Sequence, residues 1–281
     1  ISNCDVGSVT VKLSDEGTYH ITVGCTDMGT GCDTIIAQFA ADVLETPIDN
    51  ISVYGVDTDI SPYDSGSYAS STTYLTGMAA VKACEQLRER IIALAAVRMN
   101  KDASALTFDG ENVIDESDGA KMSLFDIATA SMCNNEISLE VTYSHSSPVS
   151  PPPFMAACAE IEADPETGAI ELLDYTACVD CGTVVNTNLA RVQTEGGLLQ
   201  GIGMTLYEDI WYDERGKNLS NSFMQYKVPS RLDTDRIRVE FDSSYEPTGP
   251  FGAKSIGEIV INTPAPAIAD AVYNATGVWI N

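Results

Sequence analysis

Positive charge is scarce in this sequence. Fifteen Lys and Arg residues stand against 41 Asp and Glu residues, which gives a formal net charge of -26 over 281 residues. The long-range field of such a chain repels phosphate, so the composition argues against a nucleic-acid partner and against an anionic membrane surface. A phosphate-bearing ligand would have to be held by backbone N–H groups and helix N-termini.

Long apolar runs are also missing. No run approaches the roughly 20 residues that cross a bilayer, and the opening segment lacks the basic and then apolar stretches of a secretory signal. The eight cysteines are scattered, without the dense spacing of a secreted disulfide scaffold. We therefore expect a soluble, cytoplasmic protein.

Candidate metal ligands are few. The two histidines, His20 and His145, fall on a predicted strand and in a predicted linker, and neither has the surroundings of a ligand or a base. Cys178 and Cys181 form one CxxC pair, which is weak evidence for zinc or redox chemistry without a second pair or nearby histidines. The expectation is two buried or half-buried thiols.

Strands, glycine loops and helices alternate in the first half of the chain. Residues 7–23 alternate around "DEG" and predict a hairpin, and "GCTDMGTGCDT" then leads into a helix that ends at Pro47. A second strand, the loop "SPYDSGSYASS" and one long helix interrupted at Gly77 repeat this order. The segment "SHSSPVSPPPF" that comes later is the clearest linker.

The second half predicts a similar mixture. "PETG", with Gly168, is typical of a hairpin turn. A helix carrying "EGGLLQGIG", a strand pair around Gly216, the strand "RIRVEF" and a last helix that stops at Gly277 follow. The whole pattern predicts an α+β fold with mixed sheets and helices, in two lobes of about 1–145 and about 154–281.

Four glycine-rich loops share one chemistry. They carry few charges, contain Ser, Thr or Gln, and lie next to predicted helices, at residues 24–34, 64–72, 196–203 and 249–257. Glycine lets a backbone approach a ligand closely, so the loops predict N–H and hydroxyl donors around a large, polar, anionic ligand. The GxxxxGK[ST] motif is absent and the first loop is not a clean GxGxxG, which argues against an ordinary nucleotide.

The same four loops carry a family resemblance. In order, "GCTDMGTGCDTIIAQFAADVL", "DTDISPYDSGSYASSTTYLTGMAAVKA", "EGGLLQGIG" and "GPFGAKSIGE" are similar to motifs of the molybdopterin-binding subunit of the xanthine dehydrogenase and aldehyde oxidase family, the molybdenum hydroxylases. The match runs from about Gly24 to the last residue. It implies that residues 1–281 form a two-lobed molybdopterin-binding domain.

The resemblance also implies a reaction. Members hydroxylate an N-heterocycle (xanthine-like or nicotinate-like) or an aldehyde with water-derived oxygen, using molybdenum on molybdopterin, here expected as the cytosine dinucleotide. Glu258 matches the family's catalytic base, which takes the proton of a molybdenum-bound hydroxide. The small residues before Glu258 suit a base that must reach into a closed pocket.

Cofactor contacts follow position by position from the same resemblance, and none of them is expected to ligate the metal. They are Met28, Gly29, Thr30, Gly31, Ser67, Tyr68, Ala69, Ser70, Ser71, Thr72, Gln200, Lys254, Ser255, Ile256 and Gly257. For Gln200 the alternative is an ordinary polar helix residue, and for Lys254 it is a surface cation.

Two positions depart from the family pattern. Thr30 stands where the first loop normally has a glutamine, and "ASSTT" lacks the arginine that commonly follows the serine of the second loop. These departures motivate a second hypothesis, a structural or assembly component with a degenerate, non-catalytic site.

The resemblance implies partner chains as well. No [2Fe–2S] cysteine pattern and no flavin motif occurs in the sequence, so the iron–sulfur clusters and FAD are expected on partner subunits. An upstream domain or a larger molybdopterin subunit would supply most of the substrate pocket. A split subunit and a shortened chain both agree with this expectation.

Overall fold

The computed structural model describes residues 4–133, 138–230, 232–233 and 236–280. The chain divides into two compact units. Unit 1 comprises Ile1–Pro151 and Pro247–Ala253, and unit 2 comprises Pro152–Glu246 and Lys254–Asn281. The short segment 247–253 therefore returns to unit 1 before the chain completes unit 2.

Among its described residues, unit 1 contains two sheets and three α-helices. In chain order they are β1 (Gly7–Leu13), β2 (Tyr19–Val23), α1 (Cys32–Leu44), β3 (Ile51–Gly55), α2 (Gly77–Met99), β4 (Leu106–Phe108), β5 (Asn112–Asp115), β6 (Lys121–Ser123), α3 (Leu124–Cys133) and β7 (Glu140–His145). The larger sheet has the order β3-β2-β1-β7, and the smaller has the order β4-β5-β6. His145 thus ends a strand and does not lie in the linker.

Apolar residues alternate along the strands of the larger sheet and form the core of unit 1 on one of its faces. β1 pairs antiparallel with β2, as the hairpin pattern predicts, while β2 pairs parallel with β3 across helix α1. Val9, Val11 and Ile21 are fully buried on one face of this sheet, and apolar residues of α1 and α2 join the same cluster. Burial of such a face is the main source of stability in a unit of this kind.

The predicted long helix begins irregularly. Thr72–Thr76 form one π turn, and regular α2 starts only at Gly77. A Cβ at Gly77 would lie 2.7 Å from the ring of Phe39 and 3.2 Å from Pro250. Close packing of α1 and of the segment 247–253 explains the glycine that interrupts the helical pattern.

In unit 2, the part of the chain that the structure describes forms a three-stranded sheet and two α-helices. Its elements are β8 (Phe154–Ala163), β9 (Ile170–Asp180), α4 (Thr187–Leu206), β10 (Ile237–Asp242) and α5 (Pro264–Thr276). The sheet order is β10-β9-β8, with β8 antiparallel and β10 parallel to β9. Tyr175 of the sheet, Leu198 of α4 and Ile268 of α5 share one core cluster.

The turn predictions have mixed outcomes. Gly168 adopts φ 75° between β8 and β9, and Gly277 adopts φ 72° after α5, so both glycine positions are confirmed. The strand pair around Gly216 is wrong: in the described part of this segment, Tyr212 and Asn218 form a single isolated bridge. The mixed α+β architecture itself is confirmed. Every helix among the described residues is too short or too polar to traverse a lipid bilayer.

Candidate functional site

The first glycine loop joins β2 to α1 in unit 1 and is organised by a carboxylate. One oxygen of Asp27, Oδ1, accepts the backbone N–H groups of Gly29 at 2.9 Å and Gly31 at 3.0 Å. Burial raises the pKa of Asp27, but these backbone hydrogen bonds outweigh it and hold the pKa below its ordinary value. Asp27 therefore stays ionised and fixes the loop, a role that the glycine pattern did not predict.

The outer edge of this loop is open. Met28 and Gly29 are exposed, and Thr30 is half-buried. Gly29 adopts φ 99°, and a Cβ placed there would meet no atom within 4 Å. The loop thus presents bare backbone to a space that a ligand could fill.

The second loop, also in unit 1, contains unusual backbone. Ala69 (φ 53°) and Ser70 (φ 57°) are two consecutive non-glycine residues in the left-handed region. Each such residue costs about 1–2 kcal/mol, and strain of this kind concentrates at ligand sites. Ser71 returns to right-handed geometry, and a reversal of hand between neighbours turns successive N–H groups toward one side, as in anion-binding nests.

Hydroxyl groups surround this strained turn. Thr72 Oγ1 donates to Ser67 Oγ at 2.9 Å, and Ser71 Oγ donates to the Gly66 carbonyl at 3.2 Å. The Tyr68 hydroxyl donates to the Asp5 carboxylate, a contact that raises the pKa of Tyr68. The π turn that follows at Thr72–Thr76 is a form found frequently at functional sites.

The fourth motif is divided between the two units. Its first part, Gly249–Ala253, belongs to unit 1. Phe251 adopts φ 49° and stacks on Phe39 with ring centroids 5.8 Å apart. A Cβ at Gly249 would lie 1.9 Å from the Ala253 carbonyl oxygen. The tight turn itself therefore requires glycine at position 249. The sequence had suggested a different reason, namely the close approach of the backbone to a ligand.

The second part of the motif, Lys254–Glu258, belongs to unit 2. Lys254 is 6% exposed, and its Nζ lies 2.8 Å from Asp180 Oδ2. The surface-cation alternative for Lys254 is therefore wrong. Ser255 and Ile256 are half-buried, while Gly257 and Glu258 are exposed just before the turn Ile259–Ile261.

The third loop is a helical segment of α4 with two different faces. A Cβ at Gly197 would lie 2.1 Å from Val260 Cγ2, and one at Gly201 would lie 2.5 Å from Pro264 Cγ. These contacts confirm the prediction that something approaches the small residues closely. On the other face, Gly196 has open space around it, and Gln200, one turn later, is exposed.

The donors in each unit suit a polyanionic organic ligand. Loops 24–34 and 64–72 contain no Lys, Arg or His, and they offer hydroxyl groups and a backbone surface that is open at Gly29. In unit 2, Gln200 and the exposed segment around Glu258 offer an amide and a carboxylate. The hydroxyl groups of the unit 1 loops suit a polar ligand that is held by neutral donors.

Glycine loops that lie beside helices and present hydroxyls and open backbone are typical of a cofactor-binding domain. Residues 2–235 match the family model described as the molybdopterin cofactor-binding domain, and the chain belongs to that family. This confirms the resemblance drawn from the loop motifs.

Relatives extend the comparison. The chain is 37% identical over 282 residues to the probable hypoxanthine oxidase XdhD of Escherichia coli strain K12, covering 100% of this chain and 29% of that protein. It is 30% identical over 283 residues to the xanthine dehydrogenase molybdenum-binding subunit of Escherichia coli O157:H7, covering 99% of this chain and 38% of that protein. The chain thus spans well under half of these relatives.

A solved structure shows the same fold. Quinoline 2-oxidoreductase from Pseudomonas putida 86 superposes with a TM-score of 0.89 at 27% identity, over 98% of this chain and 36% of that one. The Cu,Mo-CO dehydrogenase superposes with a TM-score of 0.86 at 26% identity, over 96% of this chain and 35% of that one. The α+β prediction therefore holds at the level of the whole fold.

Proposed function

We propose that this chain is the molybdopterin-binding part of a molybdenum hydroxylase, and that Glu258 is its general base. The observation that carries the proposal is the exposed carboxylate of Glu258 in a segment whose flanks are buried, in a member of the molybdopterin-binding family. The substrate class is an N-heterocycle, xanthine-like or nicotinate-like, or an aldehyde. The names of the hypoxanthine oxidase and quinoline oxidoreductase relatives favour the heterocycle.

The loops of unit 1 would hold the cofactor, for which we propose the cytosine dinucleotide form. Gly29 and Gly31 would lie along the pterin with Met28 and Thr30 beside them, because the Asp27 carboxylate fixes their backbone. The hydroxyls of Ser67, Ser70, Ser71 and Thr72 would donate hydrogen bonds to phosphate oxygens.

The remaining contacts of the proposed site come from unit 2 and the edge of the second loop. Tyr68 and Ala69 would border the metal end of the cofactor, and Gln200 would donate its amide N–H. Ser255, Ile256 and Gly257 would pass beside the same end, where Ser255 and Gly257 add little side-chain volume. Lys254, whose side chain is buried, would lie next to them in the same segment. The bound cofactor supplies the two-electron redox centre of the reaction.

Glu258 would move the proton. Its carboxylate oxygen would accept the proton from the water-derived oxygen that is added to the substrate, and general-base catalysis of this kind contributes roughly 10²–10⁴-fold. The small residues before Glu258 leave the carboxylate room to reach that oxygen. A glutamine at this position keeps the shape and cannot accept the proton.

Replacing Glu258 by Gln in the assembled enzyme tests this role. We expect kcat/KM for hypoxanthine, nicotinate and benzaldehyde to fall by at least about 10²-fold, with unchanged molybdenum content by mass spectrometry. Glu240→Gln, at an exposed glutamate of β10, is the matched control and should keep the wild-type rate. Wild-type turnover by Glu258→Gln would reject the base assignment.

Partner chains are part of the proposal. We propose that electrons leave through an iron–sulfur subunit and an FAD subunit, and that an upstream domain or larger subunit completes the substrate pocket. Exposed large apolar side chains support an interface on unit 2, since patches of this kind mark interaction sites: Ile210, Trp211, Tyr212, Leu219, Phe223, Met224, Val228 and Leu232. Described cysteines that are all free thiols favour a cytoplasmic location.

Thr30 and the missing arginine favour one alternative, a structural or assembly component with a degenerate site. In that case the assembled complex would contain cofactor and yet turn over none of the three test substrates. Thr30→Gln separates the two functions further, because restoring the family residue should raise the rate of an enzyme and leave a non-catalytic component inactive.

A further inference from the structure

An enclosed ion pair lies four residues before Glu258. Besides the contact of Lys254 Nζ with Asp180 Oδ2 at 2.8 Å, the Lys254 backbone N–H donates to the Cys181 carbonyl at 2.7 Å. The ammonium also sits over the ring of Phe154, 5.3 Å from its centroid. Side chain and backbone of one residue are thus both fixed to the end of β9 and the start of β8.

The Asp180 carboxylate joins three segments of unit 2. While Oδ2 accepts from Lys254, Oδ1 accepts from the Gly182 N–H at 2.9 Å and from Ser244 Oγ at 2.7 Å. Burial raises the pKa of Asp180, but the hydrogen bonds from Lys254, Ser244 and Gly182 outweigh it and keep the pKa below its ordinary value. Asp180 is therefore ionised at neutral pH with its partners in place.

Glu258 lies between this pair and a second buried contact. Val260, two residues later, is 1% exposed and packs where Gly197 of α4 has no side chain. Four residues of extended chain reach at most about 14 Å, so the path from Lys254 to Glu258 is short. When a segment is fixed at both ends, its carboxylate loses little further conformational entropy on being oriented toward a reacting atom.

We propose that Asp180 and Lys254 are positioning residues for Glu258: their ion pair fixes the upstream end of the segment that carries the base. This rests on the proposed function of Glu258. It also explains "ACVDCG", which the sequence left unassigned, since the motif delivers the Asp180 carboxylate and the Cys181 carbonyl to the same lysine. Neither residue would touch the substrate.

Hydrogen–deuterium exchange tests the positioning without turnover. In the assembled enzyme with Asp180→Asn, we expect the peptide 254–261 to lose the protection of the Lys254 amide, which donates to the Cys181 carbonyl, and that amide to exchange at least about tenfold faster, since local opening sets its rate. Lys101→Met is the matched control: it breaks the Lys101–Asp115 ion pair of unit 1, and it should lower the Tm without changing exchange in 254–261.

Kinetics of the same variants give a second readout. Asp180→Asn should lower kcat at least about tenfold with KM within about twofold, as loss of alignment does, whereas Lys101→Met should keep kcat. The double variant Asp180→Asn/Lys254→Met leaves no unpaired charge, so its Tm should recover while exchange stays fast and kcat stays low.

Two results would overturn the inference. The first is a wild-type exchange rate in 254–261 for Asp180→Asn. The second is recovery of the exchange rate and of kcat, together with Tm, in the double variant, because the pair would then serve only to balance charge. Glu258→Gln keeps the two ideas apart. If Glu258→Gln is inactive while Asp180→Asn shows wild-type exchange and turnover, only the positioning role is rejected. If Glu258→Gln is fully active, the assignment of Glu258 as the base is rejected, and exchange still tests whether the ion pair fixes the segment.

Discussion

At Gly197, helix α4 has no side chain because Val260 occupies the space. Gly196, the preceding residue, has no atom within 4 Å of the position that a Cβ would take. Two adjacent glycines of one helix therefore have different physical reasons for being glycine, and substitution separates them.

We expect Gly197→Ala to destabilise unit 2 by about 1–3 kcal/mol, the usual cost of overpacking. Gly196→Ala should stabilise it by roughly 0.5–1 kcal/mol, because alanine is the better helix former. Urea unfolding followed by circular dichroism measures both. Equal effects of the two substitutions would contradict the packing of Val260 on α4.

Thiol reactivity divides the cysteines. Cys178 is exposed and Cys181 is buried, so the prediction of two buried or half-buried thiols holds for Cys181 and is wrong for Cys178. Burial, and then the Asp180 charge, raises the pKa of Cys181 to about 11, and burial raises that of Cys84 to about 12. Both lie well above the ordinary range for a thiol.

At pH 7.5 we expect an iodoacetamide pulse to label Cys4, Cys158 and Cys178 first, because all three are exposed. Cys84 and Cys181 should label only on unfolding, because both are buried and their raised pKa values keep the reactive thiolate form scarce. Peptide mapping assigns the sites. Early labelling of Cys181 at neutral pH would contradict its enclosure beside Lys254.

At the scale of single residues, the sequence predicted most structural roles that depend only on adjacent residues. The turn glycines Gly168 and Gly277 could be assigned because a left-handed position favours glycine wherever it occurs. Asp180 could not, because its partner Lys254 is 74 residues away and no periodicity links the two. Asp27 was missed for a different reason: a carboxylate that caps its own loop looks like any exposed acid.

Among the elements, the turn 67–72 carries the most backbone strain. Ala69 and Ser70 adopt left-handed geometry without being glycine, so relief of strain is measurable there. We expect Ala69→Gly to stabilise the protein by up to about 1 kcal/mol. Ala93→Gly, within α2, should destabilise it by about 1 kcal/mol. Guanidinium unfolding measures both, and destabilisation by Ala69→Gly would contradict the strain.

An ion pair between β5 and the segment that follows α2 gives a pH prediction. Asp115, the last residue of β5, accepts hydrogen bonds from Ser117 and pairs with Lys101, which together lower its pKa to about 2. Because the folded value is depressed, the stabilisation is present above the unfolded value near 3.9 and is lost as pH falls toward about 2.

The Tm should therefore fall between about pH 4 and pH 2, and Asp115→Asn should flatten that part of the profile. Asp126→Asn, at an exposed aspartate of α3, should keep the wild-type slope. Differential scanning calorimetry across the window is the measurement. Parallel profiles for wild type and Asp115→Asn would contradict the ion pair.

Element types followed from pattern more reliably than element partners. Helical spacing predicted α1, and prolines in the first turn with a stop at Gly277 predicted α5. Alternation predicted the β1–β2 hairpin, and the turn "PETG" predicted the β8–β9 hairpin. Alternation alone did not predict that β10 pairs parallel with β9, since strand partners depend on distant residues. The strand pair around Gly216 failed because turn residues and flanking aromatics imitate a hairpin without a buried face.

For the whole molecule, partner binding is the property to test. Phe223 is 84% exposed and Met224 is 81% exposed on unit 2. We expect the double variant Phe223→Ser/Met224→Ser to reduce co-purification with the other subunits of the complex at least about tenfold, since exposed apolar anchors carry interface energy. Val97→Ser, at an exposed residue of α2, is the matched control. Full co-purification of the double variant would place the interface elsewhere.

Unit 1 is discontinuous in sequence, and this sets an order of events during synthesis. The Tyr74 hydroxyl forms a hydrogen bond with Thr248 Oγ1 at 2.6 Å, 174 residues later in the chain. Phe39 likewise stacks on Phe251, which is synthesised much later. At roughly 5–20 residues per second, a ribosome needs roughly 9–35 s to cover that distance. Most of unit 1 therefore emerges first but lacks its last segment until residue 253 has been made, and Phe39 remains without its stacking partner for all of that interval.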